Sequence, residues 1–186
     1  GPAINPHLYG IFLEEINHAV DGGLYAELIR NRAFEDSRTP EGYTFRNGRW
    51  RDEHGFDSGF SRYGYTTNGL PFWSLIQSGD AKGSMNLETS GGITEQSAYC
   101  LRLDIESGRI GVANEGFFGI GIKRGETYQL SLYARGGDGF NGPLFVRLED
   151  SSGTACSDEV KFENLASSWR KFERTLIASK TEAKAR

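Results

Sequence analysis

The chain is poor in cysteine, methionine, histidine and proline: its 186 residues hold two, one, three and five of them. Cys100 and Cys156 are too few for a disulfide scaffold and lack the spacing of metal ligands; two buried thiols are the favoured reading, a single bridge the other. No run is long and apolar enough to span a bilayer. No basic cluster occurs and the net charge is −4, which argues against nucleic acid or an anionic membrane as a partner. There is no convincing acidic loop for calcium, so neither a metal nor another cofactor is expected. No signal peptide opens the chain, but Gly1-Pro2 reads like a protease scar, which leaves its destination open.

Glycine and aromatic residues, in contrast, are plentiful, and the chain begins with an ordered succession of signals. Leu8, Ile11, Phe12 and Leu13 form a short apolar run of the kind found in a strand covered on both faces, with Glu14 and Glu15 at its carboxyl end. In parallel α/β folds that end carries the chemistry. Asp21-Gly22-Gly23 then forms a turn with a helix cap. Leu24, Leu28 and Ile29 recur at helical spacing, Arg30 and Arg32 close the last turn, and the spacing predicts a helix ending near Asn31.

This stretch, LYGIFLEEINHAVDGGLYAELIRNRAFE from residue 8 to 35, resembles the opening of glycoside hydrolase family 51, the retaining alpha-L-arabinofuranosidases. The resemblance implies the first strand and helix of a (β/α)8 barrel. It also implies that Glu14, in the pattern Gly10-Ile11-Phe12-Leu13-Glu14, hydrogen-bonds arabinose beside the cleaved bond. The residues by themselves equally allow a surface carboxylate that ends a strand. Retaining glycosidases need two carboxyl groups about 5–5.5 Å apart. Neighbouring strand residues point to opposite faces, so Glu14 and Glu15 are not that pair. The family's nucleophile and acid/base are glutamates of later strands, the second following an asparagine. Asn114-Glu115 runs into a Gly-Phe-Phe-Gly turn and does not fit. No catalytic residue is therefore expected in this chain, and a barrel of about 250 residues needs more polypeptide, in the same or a companion chain.

From Thr39 the texture changes. Residues 39–69 read as an aromatic-rich linker with one short hairpin, whose Trp50, Phe56, Phe60, Tyr63 and Tyr65 pack on a flanking domain or line a sugar site. Beyond Gly69, alternation predicts antiparallel strands at Leu101–Ile105, Tyr128–Ala134 and Leu144–Leu148. Further candidates are Phe72–Ile76, Ser84–Glu88, Ile110–Ala113, Phe118–Ile122, Thr154–Phe162 and Trp169–Leu176. Many short strands with glycine turns predict a β-sandwich, most simply a jelly roll.

Leu70-Pro71-Phe72-Trp73, Asn114 to Ile120, Tyr128 to Ala134 and Ser168 to Phe172 are similar to the galactose-binding-like carbohydrate-binding modules. Such a module follows the first β/α unit in this arabinofuranosidase branch. The expected organisation is residues 1–38 as a barrel fragment, 39–69 as linker and 70–186 as a sandwich, possibly short of its last strand. A missing strand would leave an edge open to pairing. By parity, Tyr133 and Phe145 point away from the core. If their strands are neighbours, they form a sugar platform with Arg135, Arg147 and Gln129; the alternative, that this face packs on the barrel or linker, is favoured. The combined expectation is part of a secreted or periplasmic hydrolase of arabinose-containing polysaccharides. The competing class is a noncatalytic carbohydrate-binding or structural module.

Overall fold

The computed structural model describes residues 27–37, 42–46, 49–56, 70–137, 139–140 and 142–186. Leu8 to Leu13, Glu14 and Glu15 lie outside the described residues, as do Phe60, Tyr63 and Tyr65. Among those described, twelve strands account for nearly all regular structure, and the helical component is one 3-10 turn, Glu35–Ser37. The predicted helix ending near Asn31 is not found in its described part: residues 27–29 are irregular and 30–33 form a turn. The Glu27 carboxylate accepts the Ile29 N–H at 2.8 Å, and Asn31 takes a left-handed conformation with φ 52°. Both divert the main chain from helical bonding.

Strands β1 (Thr44–Arg46) and β2 (Arg49–Arg51) pair as the expected short hairpin. Strand β3 (Trp73–Gln77) pairs with β6 (Ile110–Asn114), and β4 (Lys82–Glu88) with β5 (Cys100–Ser107). Strand β7 (Ile120–Ile122) pairs with β12 (Glu182–Ala185), β8 (Thr127–Ala134) with β11 (Arg170–Ile177), and β9 (Leu144–Val146) with β10 (Val160–Phe162). All six ladders are antiparallel, and the mainly β, nearly helix-free architecture fits a β-sandwich.

Alternation is the physical basis. In β8, Tyr128, Leu130, Leu132 and Ala134 are half-buried while Thr127, Gln129, Ser131 and Tyr133 are exposed, as the period-two pattern predicts. The core gathers Ile120, Ile122, Leu148, Cys156, Leu176, Ala178 and Ala185, against which Ile29, Tyr128, Leu130 and Val160 pack. Irregular backbone closes this core. Glu149 and Arg186 exchange reciprocal N–H to O=C bonds of 3.1 and 2.8 Å, and Cys156 N–H donates to Leu148 O at 2.7 Å. Both cysteines are buried and free.

The strands predicted at Phe118–Ile122 and Leu144–Leu148 are shorter, Ile120–Ile122 and Leu144–Val146, and two further readings change. The predicted strand over 154–162 is broken: residues 155 and 157 make only single bridges, and regular pairing resumes at Val160. The Asp150 carboxylate accepts N–H bonds from Ser152 and Thr154, closing a tight turn that competes with the ladder. Residues 182–185, which no alternation marks, are strand β12.

Candidate functional site

Residues 30–34 are held on the β region by a polar clamp. Asn114, the last residue of β6, is buried, and its amide donates to Arg30 O at 2.8 Å and accepts from Arg30 N at 3.2 Å and Gly116 N at 2.9 Å. The Arg30 guanidinium lies 3.6 Å from the Phe72 ring centroid and 5.7 Å from that of Phe117. Trp73 Nε1 donates to Asn31 O at 3.1 Å, and Asn31 donates to Pro71 O at 3.2 Å. The words Leu70-Pro71-Phe72-Trp73 and Asn114-Glu115-Gly116-Phe117 thus dock residues 30–34 and leave Phe118 at the tip of a turn, 73% exposed with φ 75°. Asn114 is committed to backbone bonds and Glu115 is exposed, so this Asn-Glu has the environment of a scaffold.

The platform, the less favoured reading of this face, requires the strands of Tyr133 and Phe145 to be neighbours, whereas β8 pairs with β11 and β9 with β10. Tyr133, 47% exposed, stands opposite Lys171, and Gln129 stands opposite Thr175, whose hydroxyl it accepts at 3.4 Å. Phe145, 39% exposed, carries the Arg109 guanidinium 4.9 Å from its centroid, and Arg109 ion-pairs with Glu159. Arg147 joins this second group through Glu149 at 3.0 Å and Glu159 at 3.8 Å. Arg135 belongs to a third place, over Trp169 at 5.2 Å, where Trp169 Nε1 donates to Gly91 O. Alternation identified the exposed face correctly but carried no information about partners.

The described carboxylates nearest these groups are tied to cations or turns. Glu149 binds Arg186 at 2.9 Å, Glu163 binds Lys161 at 2.6 Å, and Glu173 binds Lys171 at 2.6 Å. The Ser152 hydroxyl and the Thr154 and Ser152 N–H groups hold the Asp150 carboxyl below the usual range, and the hydrogen bond and charge of Lys161 do the same for Glu163. A general acid requires a shift in the opposite direction. Burial pushes the Cys100 thiol up, against the opposing pull of Arg135, so it is a poor nucleophile. Among the described residues, no group of three or more His, Cys, Asp or Glu is placed to hold a metal ion, and no helix is long and apolar enough to cross a membrane.

No family model matches the sequence. An extracellular exo-alpha-L-arabinofuranosidase of Streptomyces chartreusis is 32% identical over 188 residues, covering 100% of this chain and 18% of its own length. The whole chain is matched by an alpha-L-arabinofuranosidase. Alpha-L-arabinofuranosidase 1 of Arabidopsis thaliana is 30% identical over 196 residues, covering 100% of the chain and 25% of the relative. The arabinose-bound MgGH51 alpha-L-arabinofuranosidase superposes with a TM-score of 0.65 at 26% identity, over 92% of this chain and 24% of that structure. The chain therefore spans about a fifth to a quarter of these arabinofuranosidases, and the similarity supports a glycosidase class.

Proposed function

We propose that this chain is part of a retaining alpha-L-arabinofuranosidase that removes terminal alpha-L-arabinofuranosyl groups from arabinoxylan, arabinan or related oligosaccharides. The observation that carries the reading is end-to-end similarity to arabinofuranosidases from a bacterium and a plant, joined to a structural likeness over 92% of the chain. Residues 1–38 supply a fragment of the catalytic barrel, 39–69 the linker and 70–186 a galactose-binding-like jelly roll. Glu14 binds the sugar, while the nucleophile and acid/base are supplied by polypeptide outside these residues. The extracellular relative supports a secreted or periplasmic location.

Two measurements test this reading. The chain alone is expected not to hydrolyse an aryl alpha-L-arabinofuranoside, because nucleophilic and acid/base catalysis are both missing. Turnover that disappears on mutating a residue within the chain would overturn the assignment. In the complete enzyme, Glu14→Gln is expected to lower kcat/KM by about one to two decades, since a charge-assisted hydrogen bond is worth roughly 1.5–3 kcal/mol. Glu15→Gln, on the opposite strand face, is expected to cost less; the reverse order would refute the role of Glu14.

A further inference from the structure

Strand β11 places Arg170, Phe172 and Arg174 on one face, because alternate strand residues point the same way. They stand across from Ala134, Leu132 and Leu130 of β8, so two arginines occupy positions on a face that is otherwise apolar. Strand β10 lies beside β11, and its Phe162, which is buried at 1% exposure, meets Phe172 edge to face at 5.2 Å. The two strands and the turn after β10 line a groove of about 560 Å³, within the size range of small-ligand sites.

The charges in this groove are unequally compensated. Lys161 is neutralised by Glu163 and Lys171 by Glu173, each pair at 2.6 Å. Among the described residues, neither Arg170 nor Arg174 has a carboxylate partner. Both guanidinium groups are nonetheless held in place. Arg170 lies 5.7 Å from the Phe172 centroid and donates to Asn164 O at 3.5 Å; Arg174 lies 5.2 Å from the Phe162 centroid and donates to Glu173 O at 2.9 Å. A guanidinium has five N–H donors in a rigid fork. One is used at each arginine, and both residues are exposed.

We propose that this groove binds a uronate-bearing saccharide, with Arg170 and Arg174 as its carboxylate-binding residues. A planar fork matches a carboxylate in a bidentate way that a lysine does not. The half-buried Phe172 ring between the two arginines offers an apolar surface to the C–H face of a sugar. Neutralised lysines leave too little positive charge for the phosphate density of a nucleic acid. The site goes beyond the hydrolytic reading and does not depend on it.

Affinity electrophoresis of this chain through gels containing polygalacturonate or its methyl ester tests the proposal. Retardation is expected only by the free acid, weakening as salt rises because exposed charges are screened. Arg170→Gln and Arg174→Gln should each weaken it roughly three- to tenfold, while Arg124→Gln, an exposed arginine outside the groove, leaves it unchanged. Arg170→Lys keeps the charge but loses the fork and should fall between wild type and Arg170→Gln. Equal retardation by the ester or by polyphosphate, or a loss after Arg124→Gln as large as that after Arg170→Gln, would overturn the assignment, as would no retardation at low salt with thermal unfolding unaltered.

Discussion

Asn114 shows how one polar side chain organises a junction. Its amide satisfies both main-chain groups of Arg30 and the Gly116 N–H, groups that the surrounding structure shields from water. Removing one partner of a buried hydrogen bond costs the desolvation of the group left behind, about 1–3 kcal/mol. Asn114→Ala is therefore expected to lower unfolding free energy by about 2–4 kcal/mol in urea titration. Asn86, whose amide binds Ser84 and Asp104 at the exposed surface, is the control, and Asn86→Ala should stay within about 0.5 kcal/mol. Similar losses for the two would show that the clamp contributes nothing special. Sequence reading dismissed Asn114-Glu115 as an acid/base pair but gave no hint of this role, because the bond to Arg30 joins residues 84 apart.

Elements divide by how local their causes are. The alternation in Thr127–Ala134 made β8 legible, since burial of one strand face writes itself into successive residues. Alternation also located β5, but there Cys100 is buried and Ile105 is 43% exposed, against the expected parity. Strand β12 was not legible: Glu182-Ala183-Lys184-Ala185 has no β-branched or aromatic residue, and it is a strand because β7 and Glu149 accept it. Which strands pair was equally hidden, so the platform of Tyr133 and Phe145 could be stated only on the condition that their strands are neighbours. Glycines of β7 and its approach offer a test of the β7–β12 ladder. At Gly119, φ is 100° and an added Cβ would lie 2.7 Å from Lys184 Cα. Gly119→Ala combines backbone strain with a main-chain clash and is expected to cost about 2–4 kcal/mol. Gly121, in the middle of β7, would meet nothing within 4 Å, so Gly121→Ala should be neutral or stabilising by up to about 1 kcal/mol. Equal effects on thermal unfolding would mean that the close approach of β12 to Gly119 does not occur in solution.

At the scale of the whole molecule, the two faces of the β8–β11 ladder have different chemistry. Arg170, Phe172 and Arg174 share one face with Leu130 and Leu132, while Tyr133 shares the other with Lys171, Glu173 and Gln129. The second face holds a single exposed ring, flanked by an ion pair, and the Phe145 ring that was to complete it sits on a different ladder, covered by Arg109. One ring without a second stacking partner is a weak site for a neutral polymer but an adequate contact for another protein surface. The chain is accordingly expected to show no retardation in gels containing neutral arabinan or arabinoxylan. In the complete enzyme, Tyr133→Ala should lower the Tm, by about 2–4 °C for each kcal/mol lost in a unit of this size. Because Tyr133 faces away from the arginines, the same change should leave retardation by polygalacturonate untouched. Retention on arabinan that vanishes with Tyr133→Ala would reverse the reading and make this face a sugar site.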